Sequence, residues 1–239
     1  MMKIIKLTFT ILIFLTTIVC KSIPSQNPAS QNSSVLALEM EVEQLIGSQT
    51  ATKVHLVRVD KKVNPGQTLI SKSALLATNW SNKGYTYYLN VDPGEYIVVG
   101  MEYIVDQGPP QQTSSSTSAN GKVTVSTTTG GGSTTYTVIT NSEIAEKSKT
   151  KVGEGELAYM GSFLISTNKD YDKADSLQKH YANILKPGML DKTGFFSGLI
   201  TVDLLGNLKK FTKDEANIIE FKKSAKKSFS ETAWSYLTD

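Results

Sequence analysis

The chain has 239 residues, 25 basic and 22 acidic side chains, a formal net charge of +3, one cysteine and two histidines. So even a balance excludes the concentrated basic face that nucleic acid demands. One cysteine excludes internal disulfides and zinc–thiolate clusters, and with Arg58 as the only arginine there is almost no capacity for bidentate guanidinium clamps on phosphate or carboxylate ligands.

In chain order, Lys3 and Lys6 form a short positive segment, and Leu7 to Val19 follows without a charge. Such a run is too short to span a hydrocarbon core of ~30 Å as a stable helix, so residues 1–19 read as an export signal. Cys20 closes the segment. Thr17-Ile18-Val19-Cys20 resembles the lipobox of bacterial lipoproteins, with Thr17 and Val19 where that family favours Leu and a small residue. The resemblance implies palmitate on Cys20 and attachment to the cell envelope. Lys21, rather than Asp, follows the cysteine, which by the same resemblance implies the outer membrane. Residues 20–33 are rich in Pro, Ser, Asn and Gln, the composition of a flexible tether. Without residues 1–19 the net charge falls to +1 over 220 residues, enough for one large domain or two small ones.

From residue 34 the pattern is that of strands. Leu36, Leu38, Met40 and Val42 alternate with Glu39, Glu41 and Glu43, the period of a half-buried strand. Residues 52–60, 69–78, 85–91 and 95–105 are further strands, the last two joined through Asp92-Pro93-Gly94. Residues 111–142 are dominated by Ser and Thr, and two candidate strands, 122–129 and 134–140, flank Gly130-Gly131-Gly132 as a hairpin with a flexible tip. Residues 156–166 form the last clear strand. Strands this close, with turn signals between them, predict an antiparallel β-sandwich over 34–166.

After Thr167 the period changes. Ala174, Leu177, His180/Tyr181 and Ile184/Leu185 predict an amphipathic helix over 172–186, ending at Pro187-Gly188. Residues 189–211 fit a strand or a buried helical turn. Thr212 and Glu215 have the spacing of a capping box and predict a last helix, with Ile218, Phe221, Ala225, Phe229 and Tyr236/Leu237 on one side and Lys222, Lys223, Lys226 and Lys227 on the other. The fold class is therefore α+β, an antiparallel β-sandwich followed by a C-terminal helical segment over 167–239 that packs on it. LVRVD, YLNVDPGEYIVVG and GELAYMGSF together resemble small bacterial lipoproteins with a transthyretin-like or carboxypeptidase-regulatory-like sandwich. That resemblance covers roughly 34–166 and implies an accessory or binding module rather than a catalyst.

Candidate chemistry is sparse. His55 falls in a strand and His180 on a helix, the first a sheet residue and the second a helix–sheet contact. Asp170, Asp172 and Asp175 fail the EF-hand template, which needs Gly at the sixth position and Glu at the twelfth; here these are Asp175 and Tyr181. Acidic residues there suit a helix start. Gly153-Glu154-Gly155-Glu156-Leu157-Ala158 fits a relaxed dinucleotide fingerprint, but a strand follows where a helix is required, so a β-turn is expected. No metal and no cofactor is expected. Lys222, Lys223, Lys226 and Lys227 are candidates for contact with an anionic surface such as phospholipid, lipid A or peptidoglycan. The expected function is a lipid-anchored, non-enzymatic module that binds a protein or glycan partner. The alternative is an envelope hydrolase with an unrecognised Ser or Asp/Glu site.

Overall fold

The computed structural model describes residues 23–25, 33–44, 47–59, 75–106, 133–187 and 201–238. Cys20, the export signal, Gly130–Gly132 and the candidate strand 122–129 lie outside them. Among the described residues, eleven strands and three α-helices run in the order β1 (Ser34–Glu43), β2 (Ser48–Thr50), β3 (Lys53–Arg58), β4 (Leu75–Ala77), β5 (Trp80–Asn82), β6 (Tyr85–Val91), β7 (Gly94–Asp106), β8 (Ser133–Thr140), α1 (Ser142–Ser148), β9 (Thr150–Val152), β10 (Leu157–Asn168), α2 (Ser176–Leu185), β11 (Thr201–Thr212) and α3 (Glu215–Phe229).

All eleven strands belong to one sheet of order β4-β3-β7-β8-β11-β10-β1-β6-β5, with β2 on β1 and β9 on β7. The expected antiparallel sandwich is corrected in two respects. The sheet is mixed, because β1 runs parallel to β10 and β8 parallel to β11. It is also one hydrogen-bonded path rather than two facing sheets. β11 sits between β8 and β10, so residues 167–239 contribute a central strand as well as helices. β8 is equally central. The Ser/Thr-rich segment, expected as a hairpin with a flexible tip, therefore belongs to the core sheet from residue 133 onward, with Val138 and Ile139 fully buried.

The sheet curls on itself. Ala51 N donates to Met40 O on β1 at 2.8 Å, and the next residue, Thr52, donates through N to Glu102 O on β7, also at 2.8 Å. In a flat sheet β1 and β7, separated by β8, β11 and β10, would stand about 19 Å apart. A dipeptide reaches only about 7 Å. The path therefore bends until β2 and β3, almost one bent strand, bridge β1 to β7. Alternation then sorts side chains into an interior and an exterior. Leu36, Leu38, Met40, Val54, Leu56, Val98, Val138, Phe163 and Ile165 fill the interior. Gly206 points there too: a Cβ would lie 2.6 Å from Val138 Cγ1 and 3.1 Å from Ile165 Cγ2.

Helices cover the exterior on two sides. α3 begins at Asp214, whose side chain accepts from Asn217 N. Thr212 is still paired with Ser162 in β11, which takes it out of the expected capping box. Phe221, Ala225 and Phe229 pack with Val35, Ala37, Tyr87 and Tyr159 of β1, β6 and β10. Phe221 stacks on Tyr159 with centroids 4.4 Å apart, and Phe229 on Trp80 at 5.5 Å. α1 and α2 cover the other side, where Tyr181 and Ala182 meet Val57, Ile97, Val99 and Ile139. β6 and β7 do not pair, although only Asp92-Pro93 separates them; the chain there turns a corner from the α3 side to the α2 side. Lys83 (φ 50°) and Gly84 (φ 84°) close the β5–β6 hairpin, both left-handed as a two-residue hairpin loop of type I′ needs.

Within the segment read as a tether, residues 23–25 lie against the body. Buried Trp234 donates through Nε1 to Pro24 O at 2.8 Å, Asn90 Nδ2 donates to Ser25 O at 2.9 Å, and Ile23 packs on the α3 aromatic cluster.

Candidate functional site

On the exterior face beside α2, strand register places four polar side chains in one row. Lys53 of β3 is opposite Glu102 of β7, Glu102 opposite Thr137 of β8, and Thr137 beside Asp203 of β11. All four point outward, because their neighbours Val54, Met101, Val138 and Leu204 fill the interior.

The β3–β7 half of the row satisfies itself. Glu102 Oε1 accepts from Nε2 of the buried His55 at 3.0 Å, and Oε2 from Lys53 Nζ at 3.2 Å. An ionised carboxylate only accepts, so Nε2 carries the proton. The His55 hydrogen bond lowers the Glu102 carboxyl to about 2; burial opposes this, and the charges of His55 and Lys53 add to it. A group titrating that low is a poor general base near neutrality. With both oxygens engaged, Glu102 serves as a structural anion.

The β8–β11 half does not. Thr137 is 1% exposed, and its Oγ1 has no hydrogen-bond partner among the described residues. Asp203 Oδ1 beside it is likewise buried and unpartnered. Burial raises the Asp203 carboxyl above its ordinary range, against a smaller downward pull from Lys186. Tyr171 OH donates to the Asp203 backbone oxygen at 2.7 Å and so fixes the strand rather than the carboxylate. Two polar atoms of α2 share this condition, His180 Nε2 and Tyr181 OH. Burial pushes the Tyr181 phenol up to about 12, which keeps its proton in place as a donor.

The frame around these groups is fixed. Asp175 and Gln178 form a reciprocal capping box at the α2 N-terminus, and Ser142 N at the start of α1 donates to Asp175 Oδ2 at 2.7 Å. Gln178 Nε2 donates to Ile139 O at 3.3 Å and to Gly206 O at 3.1 Å, which pins α2 across the β8–β11 seam. Gly100 admits the other end of the helix, since a Cβ would lie 3.1 Å from Leu185 Cδ1.

The sequence-predicted candidates fall as follows. His55 is a sheet residue and His180 lies on α2, each in the setting expected of it. Asp170 pairs with Lys173 at 2.7 Å and Asp175 caps α2; among the described residues no three His, Cys, Asp or Glu side chains are grouped to hold a metal. Gly153–Glu156 forms the turn between β9 and β10, and a strand follows it. Lys222, Lys223, Lys226 and Lys227 are exposed on α3, on the opposite side of the curled sheet from α2. A cleft of about 170 Å³ beside Lys222, lined also by Leu157, Leu237 and Thr238, is below the ~300 Å³ at which ligand pockets begin. Thr137 and Asp203 carry no sequence signal, because only the parallel β8–β11 pairing brings them together.

No family model matches the chain, and no curated protein matches it. Among solved structures it is similar to a proposed carbohydrate binding protein of Pseudomonas aeruginosa, with 15% identity over 55% of this chain and 92% of the other, at a TM-score of 0.22. A likeness at that level carries no argument about fold or ligand.

Proposed function

We propose that the chain is a lipid-anchored module of the cell envelope, attached through Cys20, that binds a polyhydroxylated ligand, a glycan, without turning it over. One observation carries the reading: Thr137 Oγ1 and Asp203 Oδ1 lie side by side, buried and without partners among the described residues. Buried polar groups in native folds are nearly always hydrogen-bonded, and leaving one unpaired costs about 1–3 kcal/mol. A carboxylate that accepts, beside hydroxyls that both donate and accept, matches the alternating demands of a sugar diol. Binding without turnover is supported by Glu102, whose low carboxyl and engaged oxygens make it a poor base.

The reading is tested on a glycan array with the wild-type chain, Thr137→Val and Asp203→Asn. Wild type is expected to retain a defined class of glycan, and each variant to lose at least about tenfold in affinity while melting no lower than wild type. Absence of any glycan binding, or binding unchanged in both variants, would overturn it.

A further inference from the structure

The α3 helix carries two opposed faces. Phe221, Ala225 and Phe229 are buried against the sheet. Lys222, Lys223, Lys226 and Lys227 are exposed, and among the described residues none of them forms an ion pair. Like charges at i,i+4, here Lys222/Lys226 and Lys223/Lys227, disfavour the helix that carries them. The acidic residues of α3 offset them only in part: Glu215 is in the first turn, and Glu220 is at the edge of the face beyond Lys227. Ile219 is 60% exposed, the most exposed large apolar side chain among the described residues. At about 100° per residue, it falls between Lys226 and Lys223. The apolar face of α3 is spent on the sheet, so what the helix offers outward is a cluster of four lysines around one isoleucine, the kind of polybasic surface that anionic phospholipid attracts.

We infer that this face rests on an anionic phospholipid surface, with Ile219 entering the headgroup layer and the four lysines among the phosphates. The inference builds on the lipid-anchor reading. Ile23 packs on the aromatic cluster under α3, and Trp234, just beyond that helix, holds Pro24. Cys20 precedes Ile23 by three residues, so at most about 11 Å of chain separates them. An acyl chain on Cys20 would hold this side of the body against the bilayer, near enough for charges to act within a Debye length of about 8 Å. α2 and the Thr137–Asp203 pair would then face away from the membrane.

The full chain, reconstituted into vesicles of phosphatidylcholine alone or with phosphatidylglycerol added, is labelled with an amine-reactive reagent and read by peptide mass spectrometry. The anchor would hold the protein in both, so the difference isolates headgroup charge. Labelling of Lys222, Lys223, Lys226 and Lys227 is expected to fall at least about fivefold with phosphatidylglycerol, and to recover at high salt. Lys147 on α1 and Lys179 on α2 should label equally in both. Equal labelling of the four lysines in the two vesicle types would overturn the inference. The mass of the peptide containing Cys20, read in the same samples, reports acylation separately, so a failed anchor is distinguished from a failed lysine face.

Discussion

Replacing Glu102 with Gln tests whether the β3–β7 half of the polar row is held by charge. Its carboxyl titrates at about 2 in the fold, against an ordinary value of 4.5. A depressed carboxyl contributes stability that is fully present above its unfolded value and lost as pH falls through its folded one. With its side chain 23% exposed, the group is shielded enough for most of the linkage to count, and the contribution comes to about 3 kcal/mol at pH 7. Urea denaturation of wild type and Glu102→Gln at pH 7, 5, 4 and 3 isolates it. The stability gap is expected to hold near 3 kcal/mol down to about pH 5, fall to roughly half by pH 3, and continue closing toward pH 2. A gap that does not change with pH would show that His55 and Lys53 act as neutral packing partners, and the reasoning would fail. A gap below about 0.5 kcal/mol at pH 7 would refute it equally.

Other substitutions probe other joints. Phe229→Ala removes a fully buried ring that contacts Trp80 and Tyr87 at 5.5 Å and should cost ~3–5 kcal/mol in a denaturant titration, whereas Lys226→Ala on the opposite face should cost less than ~0.5 kcal/mol. Gly206→Ala drives a methyl toward the branched tips of Val138 and Ile165 in the closed interior; a loss of about 1–3 kcal/mol is expected, and an unchanged melting temperature would contradict the inward placement of Gly206. Cys20→Ser should abolish metabolic palmitate labelling and release the protein from membranes, since anchoring rests on the buried acyl chains; unchanged labelling would remove the lipid anchor.

The parts of the fold written in local periodicity were legible in the sequence. β1, β6, β7 and α2 appear within a few residues of their predicted spans, because alternation and the 3.6-residue repeat are properties of single segments; α3 is present with its expected faces but ends at Phe229, short of Tyr236 and Leu237. Partnership is not. Nothing in LALEMEVE says that β1 lies parallel to β10, and a sandwich was the natural reading of many short strands with turns. β11 was ambiguous because LITVDLL is apolar except for Thr201 and Asp203, a run too short for its period to tell a strand from a buried helical turn. Three-residue strands such as β2, β5 and β9 are too short to show a period, and the seven-residue α1 is little more than its Asn141 cap and Ile144-Ala145. The same limit hid the candidate site. Thr137 lies within a Ser/Thr-rich tract that resembles a surface loop, and Asp203 within an apolar run. Only the sheet makes them neighbours.

Where a ligand sits is read most directly from a map of backbone amide shifts as the best-bound glycan from the array is titrated in. Shifts concentrated on Tyr136–Val138, Val202–Leu204 and the adjoining turn of α2 are predicted, saturating together with a single Kd and absent in Asp203→Asn. Shifts confined to α3, or scattered without saturation, would contradict a binding site at the β8–β11 seam.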